Sequence, residues 1–128
     1  GRGHNGMTTG AIVMRWGNPV RGREAKALDV LMRSHQYLDE LAKEGRIHDH
    51  TDYFALTGKV GGFGLVNGQL EELQAIQNEE AFRKLMLEAS TIVENFEIIL
   101  YSGGSEQAVG ELVTNYVSTL GELGYLEN

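Results

Sequence analysis

Ala11-Ile-Val-Met-Arg-Trp16, closed by Gly17-Asn-Pro19, is a compact apolar run and predicts a buried strand followed by a turn. From Arg23 to Glu44 the spacing of apolar residues becomes helical, with one stripe at steps of three and four. The stripe consists of Leu28, Leu31, His35, Leu38 and Ala42. Gly45 follows as the left-handed residue that commonly ends a helix. The chain therefore begins as strand, turn and helix.

The remaining segments continue this alternation. Short apolar runs predict three more strands, and helical spacing predicts two consecutive helical pieces and a last helix that starts near Ser105, a predicted N-cap. The strands are Tyr53–Leu56, Phe63–Asn67 and Phe96–Tyr101, and the two helical pieces are Gln69–Gln77 and Asn78–Ile92, with Asn78 as an N-cap between them. The order β-α-β-β-α-β with an extra C-terminal helix predicts an α+β, ferredoxin-like fold.

The predicted strands are apolar on both faces, as Ile12-Val-Met14 and Ile98-Ile-Leu-Tyr101 illustrate. A sheet with helices on one face and water on the other should alternate apolar and polar residues. Two helices cover one face only, so the second face needs a partner. We expect a homodimer in which two sheets pack face to face. The alternative is that the C-terminal helix folds back over this face.

The length of 128 residues is that of a single domain. We predict one domain from Met7 to Asn128, with residues 105–128 as a helical extension. The first six residues, Gly-Arg-Gly-His-Asn-Gly, are typical of a cloning remnant and are excluded from the domain. The N-terminus lacks the apolar core of a signal peptide, and no apolar run is long enough to cross a bilayer.

Charge and cysteine content exclude several classes of function. The chain has 18 acidic and 11 basic residues, a net charge of −7, and no run of five basic residues, so binding to nucleic acid or to an anionic membrane is disfavoured. Without cysteine it has no disulfide, thiol nucleophile or thiolate ligand for zinc. A reducing, cytoplasmic location is compatible with this composition and is expected.

Two segments carry recognisable patterns: Arg33-Ser-His-Gln-Tyr-Leu-Asp-Glu-Leu41, followed by Gly45-Arg46, and Gly61-Gly-Phe-Gly-Leu-Val66, followed by Leu73–Phe82. They resemble the YCII-like proteins, a family of dimeric α+β barrels. The first is similar to the family's R-x-H-x-x-Y-L-x-x-L-x-x-x-G signature, with a shorter step from His to Tyr, and the second is similar to its glycine-led strand and following helix. The resemblance covers about Ala11 to Tyr101 and implies a pocket for a small ligand between sheet and helices.

The resemblance also implies a pair formed by a histidine of the first helix and an aspartate of the following segment. His35 matches the first position, and Asp49 matches the second by spacing, with Asp52 as its substitute. A histidine oriented by a carboxylate can act as a general acid or base near neutral pH. The structural alternative is a histidine at the edge of the core that bonds to a backbone carbonyl. The family's glycine-proline start of the next strand is replaced here by Ile47-His-Asp-His-Thr-Asp52.

Two other segments have alternative interpretations. On a strand, His48, His50 and Asp52 would point to one side, and three such ligands could hold zinc or non-haem iron. A polar connecting segment seldom arranges metal ligands in advance, so we expect no metal. The glycine-rich segment Gly58–Gly64 lacks the G-K-[ST] element and leads into a strand, so a hairpin is favoured over a phosphate-binding loop.

Arg15, Trp16 and Arg23 flank the first turn, where the arginines could clamp a carboxylate and the indole could stack on a ring. Tyr53, at the start of the second strand, completes the predicted ligand-binding set. The sequence thus predicts a dimeric domain that binds a small organic molecule, with cofactor-free acid–base chemistry by His35 and Asp49. The rival hypothesis is a non-enzymatic ligand sensor or an assembly module that uses the C-terminal helix.

Overall fold

The computed structural model describes residues 8–126, apart from the side chain of Val60. The predicted remnant, residues 1–6, lies outside this range. Four strands and four helices follow in the order β1 (Thr9–Gly17), α1 (Glu24–Lys43), β2 (Asp49–Phe54), β3 (Val60–Gln69), α2 (Leu70–Gln77), α3 (Glu80–Ile92), β4 (Glu97–Ser102) and α4 (Glu106–Glu122). The predicted α+β class, with a four-stranded antiparallel sheet, is confirmed.

The sheet has the strand order β2-β3-β1-β4, so β1 and β3 are central and the other two strands form the edges. Its helix face carries the core, because alternate residues of β1 and β3 point toward the helices. Ile12 and Val66 are fully buried there and meet Leu73 and Ile76 of α2. A smaller cluster of Val30, Ala89 and Ile92 joins α1 to α3.

Three helix-end residues were predicted from local sequence signals, and two of them are confirmed. Gly45 has a φ of 77° directly after the C-cap of α1, as its position predicted. The Ser105 hydroxyl accepts a hydrogen bond from the amide of Ala108 at 3.1 Å, which confirms the predicted N-cap of α4. The N-cap predicted at Asn78 is wrong, since Asn78 ends α2 and Glu79 precedes α3.

The second strand begins four residues earlier than predicted. It runs from Asp49 to Phe54, whereas Ala55 and Leu56 lie in the exposed connection to β3. The sequence pattern missed this start because the residues there are polar. β2 is an edge strand, and its inward-facing His50 and Asp52 bond to side chains of α1. The predicted hairpin between β2 and β3 is confirmed.

The face of the sheet that points away from the helices is largely apolar and uncovered. One row across it, in strand order, is Thr51, Leu65, Val13 and Ile99. Ile99 in this row, and Tyr53, Phe63 and Tyr101 beside it, remain between 37% and 51% exposed. The last helix does not cover them, since Ala108 is the one buried residue of α4. We call this surface the open face.

Arg46 links the α1–β2 connection to the two following helices. Its Nε donates to Glu72 at 2.5 Å, and its Nη2 donates to Glu79 at 2.5 Å. Hydrogen bonding by Arg46 lowers the pKa of Glu79 below its ordinary value of 4.5. Burial, together with Glu79, raises the pKa of Tyr37 to about 12. Within residues 8–126, no helix combines the length and apolarity that a bilayer crossing requires.

Replacing Glu79 by glutamine should weaken the dependence of stability on acid pH. A carboxylate whose pKa is lowered on folding stabilises the protein above its unfolded pKa, and this contribution disappears as the pH falls through the folded value. The pair is partly exposed, so the loss at neutral pH should stay below about 1 kcal/mol. Thermal unfolding at pH 7 and pH 3 should therefore differ less in Glu79→Gln than in Glu80→Gln, its exposed neighbour. Equal pH dependence in both variants would contradict this assignment.

Candidate functional site

A cavity of about 580 Å³ lies between the helix face of the sheet and helices α1 and α3. This volume is typical of pockets for small molecules, about 300–1,000 Å³. Both core clusters contribute to its walls, which are mainly apolar. The principal apolar side chains are Met14, Trp16, Leu28, Leu31, Leu38, Phe54, Met86, Ile92 and Phe96. Apart from Ala42, the predicted apolar stripe of α1 thus lines a cavity, and this explains why Leu28 remains exposed.

His35 and Asp52 meet at the wall of this cavity. His35 lies on α1 and Asp52 on β2, and Nε2 of the imidazole is hydrogen-bonded to Oδ2 of the carboxylate. The Asp52 side chain is only 13% exposed, whereas that of His35 is 43% exposed. Both residues line the cavity. A histidine and a carboxylate are therefore paired beside an apolar chamber that solvent can reach.

Gly64 makes room for this carboxylate. Gly64 is the cross-strand partner of Asp52, and a Cβ built at Gly64 would overlap Oδ1 of Asp52. A Cβ at Gly62 would likewise overlap the backbone oxygen of Tyr53 and lie 3.2 Å from the indole of Trp16. The glycine-rich segment therefore serves close packing on the helix face of β3.

A second histidine–aspartate pair lies beside the first. Nε2 of His50 is 2.6 Å from Oδ1 of Asp39, and the His50 side chain is only 12% exposed. The rings of His35 and His50 meet edge to face, with their centroids 5.4 Å apart. Asp39 follows His35 by four residues on the helix, and Asp52 follows His50 by two on the strand, so both pairs share one helix–strand contact.

The structure does not bring Asp49 next to His35. Asp49 points to the opposite side of β2, where its Oδ1 accepts a hydrogen bond from Nδ2 of Asn67 at 2.7 Å. Asp52 follows Asp49 at a step of three residues, and an odd step along a strand reverses the side on which a side chain lies. Asp52, the predicted substitute, is the partner of His35.

The three candidate metal ligands, His48, His50 and Asp52, do not converge. His50 is paired with Asp39 and Asp52 with His35, while Nε2 of His48 lies 3.5 Å from the amide nitrogen of Gln69. Across residues 8–126, no group of three or more histidine, aspartate or glutamate side chains is arranged to hold a metal ion.

Of the four predicted ligand-binding residues, Trp16 lines the cavity, and its ring centroid is 5.9 Å from that of Phe54. Arg15 lies on the open face, 3.7 Å from Glu97. Tyr53 is on the same face and stacks on Phe63 with a centroid separation of 4.9 Å. Arg23 donates to the backbone oxygen of Thr91 at 2.5 Å. These three side chains are thus outside the cavity lining.

Solved structures with the same architecture can now be compared with this chain. A conserved protein from Methanosarcina mazei superposes with a TM-score of 0.57 at 15% identity, over 76% of this chain and 94% of its own. A protein from Bacteroides fragilis, described as dimeric, of unknown function and of ferredoxin-like fold, superposes with a TM-score of 0.53 at 8% identity, over 74% of this chain and 96% of its own. The fold is ferredoxin-like.

These likenesses concern the fold alone, because both identities are low. No model of a protein family matches the chain, and no curated protein matches it either. The ferredoxin-like part of the sequence prediction is confirmed, and the YCII-like resemblance stays a prediction.

Proposed function

We propose that this chain is a YCII-like protein that binds a small organic molecule in the cavity and performs cofactor-free acid–base chemistry on it. The observation that supports the proposal is the His35–Asp52 pair on the wall of an apolar chamber. Binding sites of this kind combine apolar walls with a few polar groups that orient the ligand.

The orientation of the imidazole supports the assignment of roles. When Nε2 carries the proton and donates it to Asp52, Nδ1 is the ring atom that accepts a proton from the ligand. The carboxylate holds this tautomer and stabilises the imidazolium that forms. His35 is thus the acid–base group, and Asp52 is the residue that positions it.

The open face supports assembly as a homodimer through the sheets. Its central row, Leu65, Val13 and Ile99, is apolar and uncovered, and large uncovered apolar surfaces mark interfaces. The Bacteroides fragilis protein of similar fold is described as dimeric. In the proposed dimer the two open faces cover each other, and the cavities lie on the outer, helical sides.

The second candidate function is a non-enzymatic sensor or assembly module. The observation that favours it is α4, whose apolar stripe is exposed along the helix. The exposed residues are Val109, Leu112, Val113, Tyr116 and Val117. Such a helix would recruit a partner irrespective of chemistry in the cavity, so the two candidates differ in whether the His35–Asp52 pair is needed.

Partly filling the cavity should weaken ligand binding without unfolding the domain. Ala27 lines the cavity, whereas Ala25 is exposed on the same helix and does not. A phenylalanine at Ala27 should occupy ligand volume and weaken binding of neutral one- and two-ring aromatic fragments by about tenfold or more, a loss of about 1.4 kcal/mol. Ala25→Phe adds the same side chain to the outer surface and should bind as the unmodified chain does.

Binding can be followed by chemical-shift changes in a protein-observed NMR titration. Equal affinities in Ala27→Phe and Ala25→Phe would place the ligand elsewhere. If no fragment shifts any resonance of a residue that lines the cavity, the proposed function is wrong.

A further inference from the structure

We propose that the cavity selects neutral or cationic aromatic ligands and rejects anionic ones. The inference rests on the proposed function, because it assumes that the cavity is the ligand site. It adds the chemical class of the ligand, which follows from the charges and rings of the lining.

The charged groups of the lining are acidic. Among the described residues that surround the cavity, Asp52 and Glu24 are carboxylates, and none is lysine or arginine. His35 is the lining group that could bear a positive charge, and its Nε2 is already directed at Asp52. An anion that entered this chamber would lose its hydration without gaining a cationic partner.

The two arginines that flank the first turn do not compensate for this arrangement. Arg15 lies on the opposite side of the sheet and pairs with Glu97. Arg23 donates to the backbone oxygen of Thr91. The carboxylate clamp that the sequence suggested is therefore absent from the cavity, and the net charge of −7 adds a field that repels anions and attracts cations.

Aromatic rings contribute the second part of the argument. Trp16, Phe54 and Phe96 all line the cavity, and the first two are tilted by 58° at a centroid separation of 5.9 Å. Rings of this kind pack against a flat apolar ligand, and their faces attract an organic cation. Carboxylates and aromatic faces thus favour the same ligand charge.

The test compares three compounds with one ring system and different charge. At pH 7, 2-naphthylmethanol is neutral, 2-naphthylmethylamine is an ammonium ion and 2-naphthoate is a carboxylate. NMR titration of the full chain should give the ammonium at least the affinity of the alcohol, and the carboxylate an affinity at least about tenfold lower than either. Added salt should reduce the difference between the two ions, since part of it is long-range attraction.

A variant pair tests the role of the lining carboxylate. Glu24→Gln keeps an acceptor for the amide of Gly22, which Glu24 binds at 3.0 Å, and removes the charge. It should lower the affinity ratio of ammonium to alcohol by about threefold or more. Glu71→Gln removes an exposed carboxylate outside the cavity lining and should leave that ratio unchanged.

The outcomes separate this inference from the function on which it rests. Carboxylate binding as tight as that of the alcohol, or ammonium binding weaker than it, would overturn charge selection and leave the cavity as a ligand site. An unchanged ratio in Glu24→Gln would also overturn it. If none of the three compounds binds, the proposed function fails, and this inference fails with it.

Discussion

Asparagine in place of Asp52 should disable the site, whereas asparagine in place of Asp49 should not. Both variants remove one carboxylate from β2, but only Asp52 orients His35. Without that carboxylate the imidazole can take the wrong tautomer, and the developing imidazolium loses its partner. On a substrate identified by the fragment titrations, Asp52→Asn should lower kcat by ~10²-fold or more, a typical contribution for a positioned base.

The tautomer can be measured without a substrate. Long-range ¹H–¹⁵N correlation spectra of the imidazole should show the proton on Nε2 of His35 in the unmodified chain and in Asp49→Asn. They should show a different tautomer distribution in Asp52→Asn. His35→Leu should remain folded, because it extends the apolar stripe of α1 between Leu31 and Leu38. A raised melting temperature with every ligand response intact in both His35→Leu and Asp52→Asn would refute the acid–base role.

A glutamate at Leu65 should convert the proposed dimer to a monomer. Leu65 is at the centre of the open face, between Thr51 and Val13 in the cross-strand row. In a sheet-to-sheet dimer, each subunit would bury one unpaired carboxylate at the interface, at a cost on the order of several kcal/mol per charge. In the monomer the carboxylate remains at the surface, so the domain itself should stay folded.

Size-exclusion chromatography with light scattering should give twice the 14.1 kDa chain mass before this change and that mass after it. Leu87→Glu is the matched control, since Leu87 is 69% exposed on α3, on the helical side. It should leave the mass unchanged. A monomer at micromolar concentration in the unmodified chain would contradict the sheet interface at once.

The sequence predicted those features of the fold that depend on interactions between neighbouring residues. The apolar run at β1, the left-handed glycine after α1 and the hydroxyl cap of α4 each depend on a few adjacent residues, and all three were predicted correctly. The apolar character of the strands on both faces likewise anticipated an uncovered sheet surface. The identity of the partner that covers this surface is a property of two molecules, so the apolar pattern of one sequence does not determine it.

The site was harder to predict because it depends on which side of β2 each side chain occupies. An inward-facing pair of polar residues made the start of β2 look like a connecting segment, and this hid the alternation that places His50 and Asp52 together. The two pairs follow from a strand that starts at Asp49. The four-residue step from His35 to Asp39 places both on one face of α1, and the two-residue step from His50 to Asp52 places both on one side of β2. The positions of Arg15 and Arg23 depend on tertiary contacts with Glu97 and Thr91, which lie far along the chain.

The cavity is formed by one chain and lies on the helical side of the sheet, opposite the open face. In a dimer joined through the open faces, two sheets would separate the two ligands, and neither ligand would touch the interface. A ligand shifts an equilibrium only through contacts that differ between two states. With no subunit contact made or broken on binding, the two sites would have no coupling free energy, and occupancy would follow a simple hyperbola. The dimer would then contribute stability, while each subunit would respond to its ligand alone.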